Sequence, residues 1–167
     1  MKKSKFEINK EKLLGLFEEL DESSIIVIKG HLLVEESLNN IIENFVHHSG
    51  IIQKARLSFS QKILIAKSMS LTEQNHSIWN VINKLNTLRN DFAHRLTSET
   101  RQHKIDDLIK LLKIEVESLD DEKLDLSDQN TALNYVISLC IGFLSSFEEE
   151  VDRFRSMINH LDKTMNK

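Results

Sequence analysis

Residues 21–48 read DESSIIVIKGHLLVEESLNNIIENFVHH, and their apolar positions recur at helical spacing. Two sets of apolar residues fall on different sides of such a helix: Ile25, Ile28 and Leu32 on one, and Val34, Ile41 and Phe45 on the other. Asp21 or Ser23 is the expected N-cap, and the helix should end near His48. A helix with two apolar sides lies at the centre of a bundle, or packs between its own core and a partner chain.

The composition of the whole chain favours helices as well. The 167 residues include no proline and only four glycines, the two residue types that hairpins and tight turns use most. A strand-rich fold is therefore hard to build from this sequence, whereas long helices joined by polar loops need neither residue. We expect an all-α fold, a helical bundle of four to six helices. It should form a single domain over residues 1–167, with its core in about residues 22–160.

Apolar periodicity and capping residues predict the remaining helices. They are expected over residues 9–20, 59–69, 73–96, 99–118 and from about 128 to 160. Thr72 should cap the fourth helix, and Ser127 or Asp128 the last one. Residues 49–58 and the acidic stretch 119–128 are expected to be loops.

Charge and cysteine content restrict the cellular setting. A formal net charge of -4 argues against non-specific binding to duplex nucleic acid, which depends on neutralising phosphates. Cys140 is the single cysteine, and its apolar neighbours indicate a small buried residue rather than a catalytic thiol. The basic residues 1–5 lack the apolar stretch of a secretory signal, and no apolar run approaches the ~20 residues of a membrane span. These observations predict a cytoplasmic protein with no membrane partner.

Residues 85–96, LNTLRNDFAHRL, contain the one pattern in the chain that suggests chemistry. At about 100° per residue, four apolar side chains form a stripe: Leu85, Leu88, Phe92 and Leu96. Arg89 lies at the edge of this stripe, while Asn90 and His94 lie together on nearly the opposite side. That side is short-chained and neutral, which suits an interface or a shallow site better than an ordinary solvent face. The alternative is an exposed His94 and an Arg89 that merely pairs with an acid.

A partner for Arg89 can be sought on the helix predicted over residues 21–48. Glu35 and Glu36 fall on or beside the side that carries Ile25 and Leu32. A carboxylate on an apolar face needs a partner, because burial of an unpaired charge is costly. We expect Arg89 to pair with Glu35 through a bidentate contact. This pairing would orient the guanidinium with or without catalysis.

The segment Arg89-Asn90-Asp91-Phe92-Ala93-His94 resembles the Arg-polar-x-x-x-His signature of HEPN domains, a superfamily of helical domains found in prokaryotic toxins and defence ribonucleases. Residues 30–38, GHLLVEESL, also resemble the mannitol operon repressor branch of that superfamily. The resemblance covers about residues 22–150. It implies a HEPN-like bundle that dimerises so that two Arg/His motifs meet across the two-fold axis.

Active HEPN domains cut RNA without a metal ion, so the resemblance implies Arg89 and His94 as catalytic residues. Asn90, Asp91, Glu35 and Glu36 would support them. The implied function is that of a metal-independent endoribonuclease, a toxin or defence effector that cuts single-stranded RNA. The implied assembly is a homodimer, with an antitoxin or other regulatory protein as a further partner. The alternative is a non-catalytic regulatory or protein-interaction domain similar to the mannitol operon repressor.

Other candidate sites are weaker. His47 and His48 are adjacent, so on a helix they point in different directions and make a poor metal site. The remaining histidines of the chain are expected to be structural or solvated: His31, His76, His103 and His160. Trp79 is expected in core or interface packing. We expect neither a metal nor a cofactor.

Overall fold

The computed structural model describes residues 21–70, 75–94, 98–118 and 126–165; at Ala93, His94, Ser98, Glu117 and Ser118 it describes the backbone alone. These residues form six α-helices and no strand. The helices are α1 (Glu22–Phe45), α2 (Ser49–Lys54), α3 (Phe59–Met69), α4 (Ile78–His94), α5 (Ser98–Ser118) and α6 (Gln129–Met165). The expected all-α helical bundle is confirmed.

Side-chain caps fix the start of three helices. The Asp21 carboxylate accepts a hydrogen bond of 2.7 Å from the backbone N–H of Ser24 and so caps α1. Ser58 and Gln61 form a capping box at the start of α3. The Asp128 carboxylate accepts from the backbone N–H of Thr131 at 2.7 Å, at the start of α6. Asp21 and Asp128 are the caps that the sequence suggested.

Several predicted helix bounds are wrong, although α3 has the bounds expected for it. Residues 49–58 are not all loop, because α2 occupies Ser49–Lys54. α1 ends at Phe45 rather than near His48, α4 begins at Ile78 rather than at Glu73, and α6 continues to Met165 rather than ending near His160. The predicted helix over residues 9–20, the cap at Thr72 and Leu96 of the apolar stripe lie outside the described residues.

α1 and α6 run side by side in the same direction. Near their starts, the Ser23 hydroxyl donates to Asn130 Oδ1 at 2.6 Å. Near the end of α1, Arg155 Nη1 donates to the backbone oxygen of Asn44, also at 2.6 Å. Between these points the two helices approach closely at Gly30, where a Cβ atom would overlap the side chain of Ile137.

α4 runs antiparallel to α1 and α6. At its start, Trp79 packs edge-on against Phe143, with ring centroids 5.1 Å apart. Further along, Asn86 hydrogen-bonds to His31 of α1. The end of α4, with the Arg89 motif, therefore lies at the end of the bundle where α1 and α6 begin. We call this the motif end.

The apolar residues of α6 follow one continuous seam with the alternating three- and four-residue spacing of a heptad. The first six are at most 8% exposed: Leu133, Ile137, Cys140, Leu144, Phe147 and Val151. The next four are 39 to 81% exposed: Phe154, Ile158, Leu161 and Met165. The seam thus leaves the core beyond Val151, and we call residues 152–165 the α6 extension.

α6 is also the one helix among the described residues that is long and apolar enough to cross a membrane by those two criteria. Its most apolar 18-residue window has a mean hydropathy of 1.3, and 39% of that window is buried inside the bundle. Core helices of soluble proteins meet the same criteria. The seam of buried residues accounts for much of this apolar character.

α1 has the two apolar sides that its sequence indicates. Val34 and Ile41 are fully buried in the core, whereas Ile25 and Leu32 are 42% and 56% exposed. Phe45 was expected on the side of Val34 and Ile41, but it is exposed. The Ile25 side of α1 therefore remains uncovered among the described residues.

Candidate functional site

The Arg89 motif occupies the last turns of α4. Leu85 and Leu88 are buried in the core and Phe92 packs against it, so the apolar stripe is confirmed over these residues. Arg89 is half-buried at the edge of the stripe, as expected. Its Nη1 donates a hydrogen bond of 3.3 Å to Oδ1 of Asn90. This hydrogen bond joins the Arg89 and Asn90 side chains without any contribution from a second protomer.

His94 is the last residue of α4, and its side chain lies outside the described part of the structure. The helical backbone places its Cα one turn beyond Asn90, on the same side of α4. Asn90 itself is half-buried. Whether the His94 imidazole faces away from the core therefore stays a prediction.

The expected pairing of Arg89 with Glu35 is wrong. Glu35 Oε1 instead lies 2.6 Å from the ammonium of Lys62 on α3, and the two side chains are 29% and 13% exposed. α3 runs alongside α1, so it brings Lys62 opposite Glu35. Glu36 is exposed, and it has no contact with Arg89 among those described. The acid was correctly expected to be paired, but its partner comes from α3, whose packing against α1 the sequence did not predict.

Asp91 is 7% exposed and forms an ion pair with Lys104 of α5. A second ion pair, between Lys84 and Asp107 at 3.7 Å, also joins α4 to α5. Asp91 therefore lies on the side of α4 that faces α5, away from the side of Asn90. Its position indicates that it anchors the motif helix to α5, and its expected support of Arg89 and His94 stays a prediction.

His31 was expected to be structural or solvated, and the structure shows it as a buried structural residue; the sequence did not indicate that it contacts the motif helix. It is 3% exposed, and its ring stacks on Phe59 with centroids 4.1 Å apart. Its Nε2 lies 3.1 Å from Oδ1 of Asn86, one turn before Asn90. The segment GHLLVEESL, which includes His31, carried part of the family resemblance, but the periodicity of one helix does not show which other helix His31 contacts.

The electrostatics around His31 favour its neutral form. Burial is the main cause that lowers the pKa of His31 below its usual 6.5, and the hydrogen bond that the ring makes to Asn86 opposes it. Glu35 also raises this pKa, while the positive charges of Arg89 and Lys62 lower it. Arg89, Lys62 and Glu35 therefore all lie close enough to act on the same buried imidazole.

Two cavities in the described part of the bundle lie away from the Arg89 motif. A cavity of about 440 Å³ lies between the start of α4 and the middle of α6, lined by residues such as His76 and Phe143. Another, of about 190 Å³, lies beside α2. Neither is lined by Arg89 or Asn90. Within the described ranges, no three His, Cys, Asp or Glu side chains are grouped so that they could hold a metal ion.

Cys140 is fully buried in α6, and burial raises the pKa of its thiol to about 12. The expectation of a small buried residue is confirmed. Trp79 is also buried, as expected, in aromatic contacts with Phe143 and Phe147.

Comparison with known proteins found no family model that matches the chain, no curated protein with significant similarity and no solved structure with a significantly similar fold. The function of the chain is therefore inferred from its own residues.

Proposed function

We propose that the chain is a metal-independent endoribonuclease of HEPN type that acts on single-stranded RNA through Arg89 and His94 of two protomers. The observation that carries this proposal is the motif end of α4. There the half-buried Arg89 donates a hydrogen bond to Asn90 at the edge of the apolar stripe, and His94 follows Arg89 by five residues.

The proposed chemistry needs only the 2′-hydroxyl and the phosphate of RNA. One histidine takes the proton of the 2′-hydroxyl, whose oxygen attacks the adjacent phosphorus. The bond to the 5′-oxygen breaks, and the histidine of the partner subunit donates a proton to that leaving oxygen. Arg89 stabilises the charge that develops on the phosphate. The products are a 2′,3′-cyclic phosphate and a 5′-hydroxyl.

A symmetric dimer would provide both histidines, because an isologous interface supplies each residue twice. The exposed apolar side of α1 supports such an interface. Ile25 and Leu32 lie on this side, and α1 is the helix that contacts α4 through His31 and Asn86. We propose that the two-fold axis passes near Asn90 and His94.

The cellular role that fits this chemistry is that of a toxin or defence effector in the cytoplasm, held inactive by an antitoxin or another regulatory protein. Such a protein would need no cofactor. The net charge of -4 favours a local RNA-binding site over broad attraction of the whole surface to nucleic acid.

Cleavage of varied single-stranded RNAs by the purified dimer in the presence of EDTA tests this function. We expect 2′,3′-cyclic phosphate ends and a loss of roughly a hundredfold to ten-thousandfold in rate for His94→Ala, the range for losing a general acid or base. Arg89→Lys should also reduce the rate, because an ammonium does not reproduce the planar guanidinium. Asn90→Ala should have a smaller effect. The matched control is His103→Ala, because His103 is an exposed histidine on α5.

Cleavage that survives in His94→Ala, or that disappears with EDTA, would contradict the mechanism.

The second candidate is a non-catalytic regulatory domain similar to the mannitol operon repressor. The exposed seam of the α6 extension favours it, because an apolar helix surface suits contact with another protein. A well-folded wild-type dimer that cleaves none of the RNAs would support this second function.

A further inference from the structure

Asn86 extends the line of polar residues on α4 by one turn. Asn86, Asn90 and His94 follow one another at intervals of four residues, so their Cα atoms lie along one side of the helix. Asn86 and Asn90 are both half-buried. Neither residue belongs to the Arg/His pair of the proposed function.

Both amides have their oxygen occupied by a donor. Nε2 of His31 lies 3.1 Å from Asn86 Oδ1, which can only accept, so the ring donates from this nitrogen. Arg89 Nη1 donates to Asn90 Oδ1. Among the described residues, none accepts a hydrogen bond from Nδ2 of Asn86 or of Asn90. The two side chains therefore offer N–H donors beside oxygens that each already accept a hydrogen bond.

His31 holds Asn86 in this orientation. The imidazole is 3% exposed and is stacked on Phe59, so its ring has little freedom to turn. Its Nδ1 is buried with no hydrogen-bond partner among the described residues. A second proton there would be buried and unpaired, which is unfavourable. The ring therefore remains neutral and keeps its proton on Nε2, directed at Asn86 Oδ1.

We propose that the side-chain amides of Asn86 and Asn90, together with the Arg89 guanidinium, form a binding site for a phosphodiester group of single-stranded RNA, with His31 as the residue that positions Asn86. A set of N–H donors beside a guanidinium complements an anion with several acceptor oxygens. The site would hold the backbone while His94 acts one turn further along. This inference rests on the proposed function for the identity of the ligand.

Asn86→Asp separates this role from a structural one. The carboxylate has nearly the shape of the amide and still accepts from His31, but it lacks the N–H donors and repels phosphate. Asn80→Asp is the matched control. Asn80 is exposed on the same helix, about 9 Å away along its axis, and the change adds the same charge.

The probe is a short single-stranded RNA that carries 2′-O-methyl groups and so cannot be cleaved, at one fixed salt concentration. We expect Asn86→Asp to weaken its binding at least tenfold and Asn80→Asp to leave it within about twofold, consistent with one lost charged contact. In the wild-type protein, NMR should show the side-chain amide signals of Asn86 and Asn90 shifting as this RNA binds. The NMR measurement needs no variant and therefore holds even if Asn86→Asp folds poorly.

Equal weakening in the two variants, or amide signals of Asn86 that do not shift, would overturn the inference. Rapid cleavage of unmodified RNA by the wild type in that case would leave the proposed function intact. Conversely, a wild type that binds the probe through Asn86 but cleaves no RNA would contradict the proposed nuclease function and support the phosphodiester-binding site. A wild type that binds no probe would overturn both.

Discussion

At the motif end of the bundle, polar side chains are held in place by hydrogen bonds, whereas at the opposite end the α6 extension presents apolar side chains to solvent. His31 fixes Asn86 and Asn90 holds Arg89, which gives directed polar groups at defined positions. Phe154 and Leu161 are exposed with nothing described over them. The first arrangement suits recognition of a small charged group, and the second suits contact with another helix. On the proposed function, the motif end carries the chemistry and the dimer contact, and the α6 extension offers a separate surface for another protein.

The two parts of the α6 seam should differ most in what a truncated side chain costs. Leu144 is fully buried and Leu161 is exposed in the extension. Leu144→Ala should lower the free energy of unfolding by about 2–5 kcal/mol, since it leaves a cavity in the core. Leu161→Ala should change it by less than about 0.5 kcal/mol in the monomer. Urea unfolding of both variants at low protein concentration measures the difference.

If Leu161→Ala proved as costly as Leu144→Ala, the extension would be covered in solution. Repeating the measurement at high protein concentration would then show whether a second copy covers it, because the stability of a dimer depends on concentration.

The two glycines of the α1 and α6 pair should respond in opposite directions to alanine. Gly30→Ala should destabilise the fold by about 1–3 kcal/mol, because the new methyl group overlaps Ile137. Gly142→Ala should stabilise it by about 0.5–1 kcal/mol, since no atom lies within 4 Å of the added Cβ and alanine favours the helix. Thermal unfolding of the two variants checks both signs. A neutral Gly30→Ala would mean that α1 and α6 are further apart at the motif end.

The ion pair between Glu35 and Lys62 should contribute less to the free energy of unfolding than a fully buried ion pair would. Lys62→Met should cost about 1 kcal/mol, since both side chains retain some contact with water. Arg89→Ala should cost no more than this, because Arg89 is not the partner of Glu35. Denaturant unfolding distinguishes the two pairings. A loss near 3 kcal/mol for Arg89→Ala, the size expected when a buried carboxylate is stranded, would restore the pairing that the sequence suggested.

The smallest expected effect is the pH dependence that arises from His31. The pKa of His31 is lower in the folded protein than its ordinary value of 6.5, so the unfolded chain binds more protons between these two values. Its contribution to stability is complete above pH 6.5 and is lost as the pH falls toward the folded pKa. His31→Gln should flatten the fall in stability just below pH 6.5. Equal slopes in the wild type and in His31→Gln would exclude a neutral, buried His31.

The sequence predicted best what depends on local periodicity and capping. The bounds of α3, the Asp21 cap and the two apolar sides of α1 all follow from residues within a few turns of one another. α2 was missed because its six residues include a glycine and bury no side chain in the core. The end of α6 was placed too early because nothing in the local pattern marks where a helix leaves the bundle.

The candidate site was only partly predictable, because its contacts join different helices. Arg89 at the edge of the apolar stripe follows from the spacing on α4 alone. The partners of Glu35 and Asn86 depend instead on how α3 and α4 lie against α1, which the periodicity of single helices does not determine. Lys62 and His31 therefore entered the site only through the structure.

The central claim is that a dimer brings two Arg89 and His94 motifs together at the motif end. Single cysteines at Thr87 or Asn159, both exposed, allow spin labels to be attached at the motif end or on the α6 extension. Cys140 should not compete for the label, because it is fully buried with a thiol pKa of about 12. Pulsed electron paramagnetic resonance then measures the distance between the two labels of a dimer.

For Thr87→Cys we predict a label separation within roughly 25 Å, since packed helices lie 8–10 Å apart and each label adds its own length. The separation for Asn159→Cys should be clearly larger. Close labels at position 159 with distant labels at position 87, or no dipolar coupling at tens of micromolar protein, would contradict the claim.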